Sequence, residues 1–326
     1  MVPGWLALCR TILAACARGL CSSCVHITAA TGIATNVSAD FNYAEAFSRN
    51  IGWVTRLEQQ TLQHKRIAIA GLGGVGGAHL LTLARLGIGA FNIADFDTFD
   101  SPNTNRQTGA GVRNLGRRKT DALSEMALDV NPELHLNIFN DGITGENVAD
   151  FLDGVDLYVD GLDFFAFSAR QLVFSECAKR RIPATTVAPL GMGAALLNFI
   201  PGHMSFDDYF GWQGRTEHQM ALRFLIGLSP AMLQSAYLVD RSTVDLKARR
   251  GPSTSMACAL CAGLAATEAL KILLNRGHVA AAPHGVHFDA FRNRLALTWR
   301  PWGHRNPLQR LALAIVERKL AHSEHQ

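Results

Sequence analysis

From Arg66 onward, short apolar runs alternate with helical stretches, which predicts an α/β fold on a doubly wound, mostly parallel sheet with helices on both faces. Two further observations agree. The strand-like runs do not alternate in and out, as expected where helices cover both faces. A glycine-rich turn, Gly71-Leu72-Gly73-Gly74-Val75-Gly76-Gly77, follows the first run and opens a helix, the usual place for a phosphate.

The elements follow in order. Residues 41–64 read as helix, with Phe47, Ile51, Val54, Leu57 and Leu62 near helical spacing. Strand 66–70 leads to helix 75–86, and strand 90–95 to a long loop and helix 117–130. Strand 134–139 is followed by a short helix near 145–152, strand 155–160 by helix 166–180, and then comes strand 183–188. After about residue 190 the pattern changes. Residues 194–200 read as a further strand ended by Pro201-Gly202, and 203–256 are mixed, aromatic first and helical around 217–238. A long helix over 257–275, a hairpin of 285–291 with 295–299, and a terminal helix over 307–320 complete the chain. The whole is a Rossmann-like fold with a C-terminal antiparallel hairpin. No internal repeat or low-complexity linker appears, so 41–326 is expected to form one unit. Its nucleotide-binding core is about 64–190, its crossover region about 200–256, and its helix and hairpin 257–320.

At 326 residues and 48% apolar content the chain can bury a large core, and 18% charged residues exclude a disordered composition. A net charge of +4 is modest. Arg117-Arg118-Lys119 and Lys179-Arg180-Arg181 are read as solvated helix ends, and a nucleic-acid partner is not expected. The cysteine count of 7 is odd for a chain too large to be a disulfide-stapled mini-fold, so a reduced, cytoplasmic protein is the economical reading. Residues 1–40 read as an extension, poorly ordered. Leu13-Ala14-Ala15-Cys16 resembles a lipoprotein cleavage box, but no basic residue precedes the apolar run and Arg10 interrupts it, so export is not expected. No other stretch reaches the roughly 18 unbroken apolar residues of a membrane helix.

The glycines at 71, 73, 74 and 76 permit close approach of a polyphosphate to a helix start, but a G-x-G-x-x-G match alone suits NAD, FAD or ATP, or simply tight strand–helix packing. The residues that follow discriminate more. Asp95, ending the second strand, suits a ribose hydroxyl. A dinucleotide oxidoreductase needs nothing further there, yet Asp97, Asn103, Asn105, Arg106, Gln107 and Lys119 come next.

This run resembles the ThiF/HesA/MoeB family, the adenylyltransferases similar to ubiquitin-activating enzymes. The resemblance extends to Asp160-Gly161-Leu162-Asp163, matching a D-x-x-D motif, and to the helix after Gly251-Pro252-Ser253; it covers about residues 45–275. It implies ATP and Mg2+ as cofactors and adenylation of a carboxylate with release of pyrophosphate. Arg106 and Lys119 would hold phosphates, Asp163 the Mg2+, and Asp95 the ribose with Asn103 nearby. Asp97, Asn105 and Asp160 would belong to the same nucleotide site. The resemblance further implies a homodimer in which Arg49 reaches the partner's ATP, although a solvated helix arginine accounts for Arg49 equally well. Surface charge is the alternative for Arg106 and Lys119, and a helix N-cap for Asp163.

Two departures from the family pattern limit the chemistry. Only Cys258 and Cys261 form a downstream C-x-x-C pair, with no second pair nearby, so zinc is not expected and packing cysteines are. Residues 201–256 contain no cysteine, so adenylation without a thioester on the crossover is expected. The acidic and aromatic run 204–212 suits a substrate tail or an ordered lid alike.

The acceptor expected is the C-terminus of a small ubiquitin-like carrier protein, or a peptide. The alternatives are an enzyme like the tRNA threonylcarbamoyladenosine dehydratases, an NAD(P)-dependent oxidoreductase, and a non-catalytic interaction protein that has kept the fold.

Overall fold

A computed structural model describes residues 41–245 and 248–323; the expected extension over 1–40 lies outside the described residues. The chain opens with α1 (Tyr43–Ala46), a 3-10 turn (Ser48–Asn50) and α2 (Arg56–Gln63). Then come β1 (Arg66–Ala70), α3 (Gly76–Leu86), β2 (Ala90–Ala94), α4 (Lys119–Val130) and β3 (His135–Phe139). Next are α5 (Val148–Phe151), β4 (Leu157–Asp160), α6 (Phe167–Arg180), β5 (Ala184–Leu190) and β6 (Gly193–Phe199). The crossover region carries α7 (Phe206–Phe210) and α8 (Glu217–Leu228). The chain ends with α9 (Ser255–Leu273), β7 (His284–Asp289), β8 (Arg294–Trp299) and α10 (Pro307–Ser323).

One 8-stranded sheet runs in the order β3-β2-β1-β4-β5-β6-β7-β8. The pairs among β1–β5 are parallel and β7–β8 is an antiparallel hairpin, as the sequence predicts, and β6 joins the two parts by pairing antiparallel with both β5 and β7. Successive residues of β1 serve opposite faces. Ile67 and Ile69 pack with Leu80, Leu83, Leu123 and Ala265 on one side, whereas Ala68 and Ala70 face an aromatic layer including Phe151, Phe174, Phe206, Phe210 and Trp212. Both faces being covered explains the uniformly apolar strands. The edge strands β3 and β8 are exceptions, their residues being exposed or half-buried.

Strand order reverses between β1 and β4, which pair with Ala70 opposite Asp160. At such a reversal the connections leave the carboxyl ends in opposite directions and open a crevice, where doubly wound folds bind ligands.

The single helix expected over 41–64 is broken. Gly52 takes a φ of +113°, and Thr55 with Glu58 forms a capping box that starts a fresh helix at Arg56. Leu57 consequently lies exposed instead of buried. The helix expected around 217–238 stops at Leu228, because Ser229 precedes Pro230 and leaves the helical region. Within the aromatic run, Ser205 caps a short helix ended by left-handed Gly211. Ser255–Leu273 is long and apolar enough by length and composition to cross a membrane. Glu268 and Lys271 interrupt it, however. The helix packs on α3, β5 and β6, and Glu268 accepts a hydrogen bond of 2.8 Å from buried Asn198.

His79, on α3, is wholly buried with neither ring nitrogen partnered. Burial pushes its pKa from 6.5 down to about 4, opposed by the Asp160 carboxylate. The unfolded chain therefore takes up a proton that the folded chain refuses through this interval. The resulting stability is fully present above pH 6.5 and lost as pH falls to about 4, a change on the order of 3 kcal/mol. Urea unfolding at about pH 7 and about pH 4.5 should show this loss, and His79→Leu should flatten it.

Candidate functional site

The crevice is built first from backbone. Gly71 leaves β1 with a φ of +81°, and its N–H donates to the Ala94 carbonyl at 2.7 Å. A Cβ at Gly71 would run into the Gly161 carbonyl, and one at Gly76 into the carbonyl of Gly71. Three backbones thus meet where β1, β4 and α3 converge, and no side chain fits between them. Gly73 and Gly74 are different, bordering side chains instead of backbone, and a Cβ at Gly74 would press on Cys258 Sγ at 3.2 Å. A Cβ at Gly74 would sit 3.7 Å from Arg106 Nε, and one at Gly73 would sit 3.8 Å from Gln107 Nε2. Val75, at the N-cap of α3, supplies no side-chain cap, so the first amides of this helix are open to an anion.

The acids lie on two sides. Asp95, at the end of β2, accepts from Leu72 N–H at 2.6 Å and from Asp97 N–H at 2.8 Å. Burial pushes its carboxyl up, against the pull of nearby Lys119 and of those two amides. Asp97 pairs with Lys119 at 2.8 Å; the Lys119 side chain is 6% exposed and that of Asp97 51%. The Lys119 backbone N–H also donates to the Asp97 carbonyl at 3.0 Å. Burying the lysine beside a half-exposed partner holds a fixed cation at the start of α4, close enough to Asp95 to act on its carboxyl.

The loop between β2 and α4 forms the next wall. Asn103 Oδ1 accepts from Asp100 N–H at 3.0 Å and closes a turn. Asn105 Nδ2 donates to the Ser253 carbonyl at 3.0 Å, and Arg106 Nη1 donates to Pro102 O and Asn105 Oδ1, each at 3.0 Å. Between this loop and the approach to α9 lies a cavity of about 770 Å³, lined by Pro102, Thr104, Asn105, Arg106, Gly251 and Ser253. Gln107 Oε1 is buried beside it without a partner.

The two acids of Asp160-Gly161-Leu162-Asp163 part company. Asp163 is exposed, and its Oδ1 accepts from Phe165 N–H at 3.0 Å, leaving its other oxygen to solvent. The N-cap of α6 is Ala166, so Asp163 is not the cap of that helix. Asp160, expected to contact the nucleotide, lies behind the site instead. It is ion-paired with Arg170 at 2.9 Å, both side chains being 2% exposed. It also accepts from Thr186 Oγ1 at 2.9 Å and Tyr158 Oη at 3.2 Å.

Arg49 is exposed on the 3-10 turn. Its neighbour Asn50 donates to the Leu86 carbonyl at 3.2 Å, at the end of α3 away from the glycine turn. An 11-residue helix is about 16 Å long, so Arg49 does not belong to its own chain's crevice. Cys258 and Cys261 are buried in the core, and burial pushes both thiols up. Among the described residues no group of three or more His, Cys, Asp or Glu side chains could hold a metal ion.

Sequence reasoning missed Gly161, Gln107 as a wall residue, Ser253 and Arg170. Gly161, Gln107 and Ser253 stood within the motifs already noticed. For Arg170 the sequence offered no signal beyond a helical arginine.

The family model described as the ThiF family matches residues 47–310. The tRNA threonylcarbamoyladenosine dehydratase of Escherichia coli is 31% identical over 153 residues, 45% of this chain and 56% of that protein. The sulfur carrier protein ThiS adenylyltransferase of Escherichia coli is 29% identical over 143 residues, 44% of this chain and 56% of that one. The structure of Escherichia coli MccB with ATP superposes with a TM-score of 0.59 at 18% identity, covering 81% of this chain and 72% of that one. The chain spans about half the length of the curated relatives it matches.

Proposed function

The chain belongs to the ThiF family, and from that premise we propose that it is an ATP-dependent adenylyltransferase that activates a carboxylate. One observation carries the reading: the uncapped start of α3 has Arg106 beside Gly74 and Asp95 bonded to Leu72 N–H of the same turn, with the buried Lys119 acting on Asp95, while the exposed Asp163 follows two residues after Gly161, whose backbone meets Gly71 and Gly76. An NAD enzyme needs only the acid that ends the second strand and neither cation there.

In the proposed reaction a carboxylate oxygen of the acceptor attacks the α-phosphorus of ATP. The new O–P bond forms as the bond from the α-phosphorus to the bridging oxygen breaks, and pyrophosphate leaves with that electron pair. Arg106 and Lys119 orient the phosphates and offset the charge that develops on them. For Lys119 this means exchanging Asp97 for phosphate. Asp95 offers a carboxylate to the ribose. The free oxygen of Asp163 fits Mg2+, a hard cation that takes oxygen ligands, which when bound neutralises phosphate charge.

The acceptor proposed is a carboxylate of a small carrier protein or peptide, entering through the cavity bordered by Gly251 and Ser253. Support comes from that opening and from the ThiS adenylyltransferase relative. The crossover has no cysteine, so the product is an adenylate and not a thioester on that segment. A homodimer, cytoplasmic, is part of the reading, with Arg49 serving the partner's site. Its exposure and its place at the remote end of α3 support this. A second reading, a carboxylate carried on tRNA, draws on the dehydratase relatives.

The test is exchange of labelled pyrophosphate into ATP, run with a small carrier protein ending in Gly-Gly, with short peptides and with bulk tRNA. Exchange dependent on one of them supports adenylation and names the acceptor class. NAD(P)H binding with no exchange from any of the three would overturn the reading.

A further inference from the structure

Arg170 makes more bonds than an ion pair with Asp160 needs. Its Nη2 donates to the Leu162 carbonyl at 2.7 Å and to that of Asp163 at 3.0 Å, and its Nη1 donates to that of Phe164 at 3.2 Å. Three successive carbonyls thus turn inward onto one planar cation, while Nε takes Asp160 Oδ2 at 2.9 Å. Turning those carbonyls inward leaves the Asp163 carboxylate on the outside. The flat face of the guanidinium is covered in turn by Phe224 of α8, 4.6 Å from its ring centre. Phe224 also packs against Phe164, ring centres 5.2 Å apart. The loop that carries Asp163 is therefore clamped from behind by a residue whose other side rests on the crossover region.

We propose that Arg170 is a positioning residue that sets the Asp163 carboxylate for the metal–nucleotide complex, and that Phe224 links this setting to the crossover helix. The inference rests on the adenylation reading and deepens it. A lone fixed carboxylate is a weak metal ligand unless groups behind it hold its orientation, and loss of such groups commonly lowers metal affinity roughly 10–100-fold. Lysine cannot replace the clamp, because its ammonium is a point charge without the planar fork that reaches three carbonyls. Order in the crossover, where an acceptor would lie, is in this way felt at the metal carboxylate without any contact between the two.

The experiment compares ATP binding by calorimetry with Mg2+ and with chelator present, for the wild type, Arg170→Lys, Phe224→Leu and Asp163→Asn. Amide hydrogen exchange over residues 162–165 is followed in parallel. Arg170→Lys should bind ATP as the wild type does in chelator, and lose about tenfold of the Mg2+-dependent gain. Its 162–165 amides should exchange faster while those of β1 do not. Phe224→Leu keeps the ion pair and should shift both readouts the same way by less. It carries the test if Arg170→Lys does not fold. A wild-type Mg2+ gain together with wild-type protection at 162–165 in the variants would overturn the positioning role alone. ATP binding by the wild type with no Mg2+ gain, matched by Asp163→Asn, would instead overturn the metal reading of Asp163 on which the proposal stands.

Discussion

Asp163→Asn is expected to lower acceptor-dependent pyrophosphate exchange by roughly 10²–10³-fold, the usual scale for removing one group that stabilises charge in a transition state. It should leave the urea midpoint where it was. Asparagine keeps the Oδ1 that accepts from Phe165 N–H, and the position is exposed, so neither the turn nor the core is disturbed. What is lost is the negative oxygen offered to Mg2+. A variant that exchanges pyrophosphate at the wild-type rate would remove Asp163 from the mechanism. A variant that fails to fold would show that the carboxylate has a structural role its surroundings do not reveal.

Three residues earlier, the other aspartate of the same motif should behave oppositely. Asp160→Ala strands a guanidinium that is 2% exposed, together with the hydroxyls of Thr186 and Tyr158. Removing one partner of such a pair costs about 3–5 kcal/mol, because the remaining charge is left in a poorly solvating interior. Urea unfolding should register that loss directly. Adding Arg170→Met to Asp160→Ala should recover part of it, since the stranded charge goes too. No recovery would mean that the loop carbonyls held by Arg170 dominate the loss.

These two aspartates show how far the sequence could be read. A motif names residue types and spacing, and both acids fit it. Which one is buried and which exposed depends on Arg170, ten positions downstream of Asp160, folding back under the loop. Neither hydropathy nor spacing marks that arginine. Arg106 lies in the long β2–α4 loop and Lys119 starts α4, so only motif spacing marked those two, whereas the glycine turn and Asp95 sit at strand ends, where local sequence dictates backbone geometry. The sheet was legible for the same reason, strand by strand. The helical spacing over 41–64 misled because Gly52 and the Thr55–Glu58 cap outweigh five apolar positions. In the aromatic run, the spacing of Ser205 and Asp208 carried a cap signal that the ring content of 206–212 obscured.

The hydrogen bond from Asn105 to the Ser253 carbonyl joins residues 148 apart in the chain. During synthesis Pro102, Asn105 and Arg106 therefore emerge long before Gly251 and Ser253, the second wall of their cavity. Closing a loop of that length is entropically unfavourable until the intervening strands have docked. A nascent chain stopped short of residue 250 thus carries every residue of the proposed nucleotide site with only one wall of that cavity.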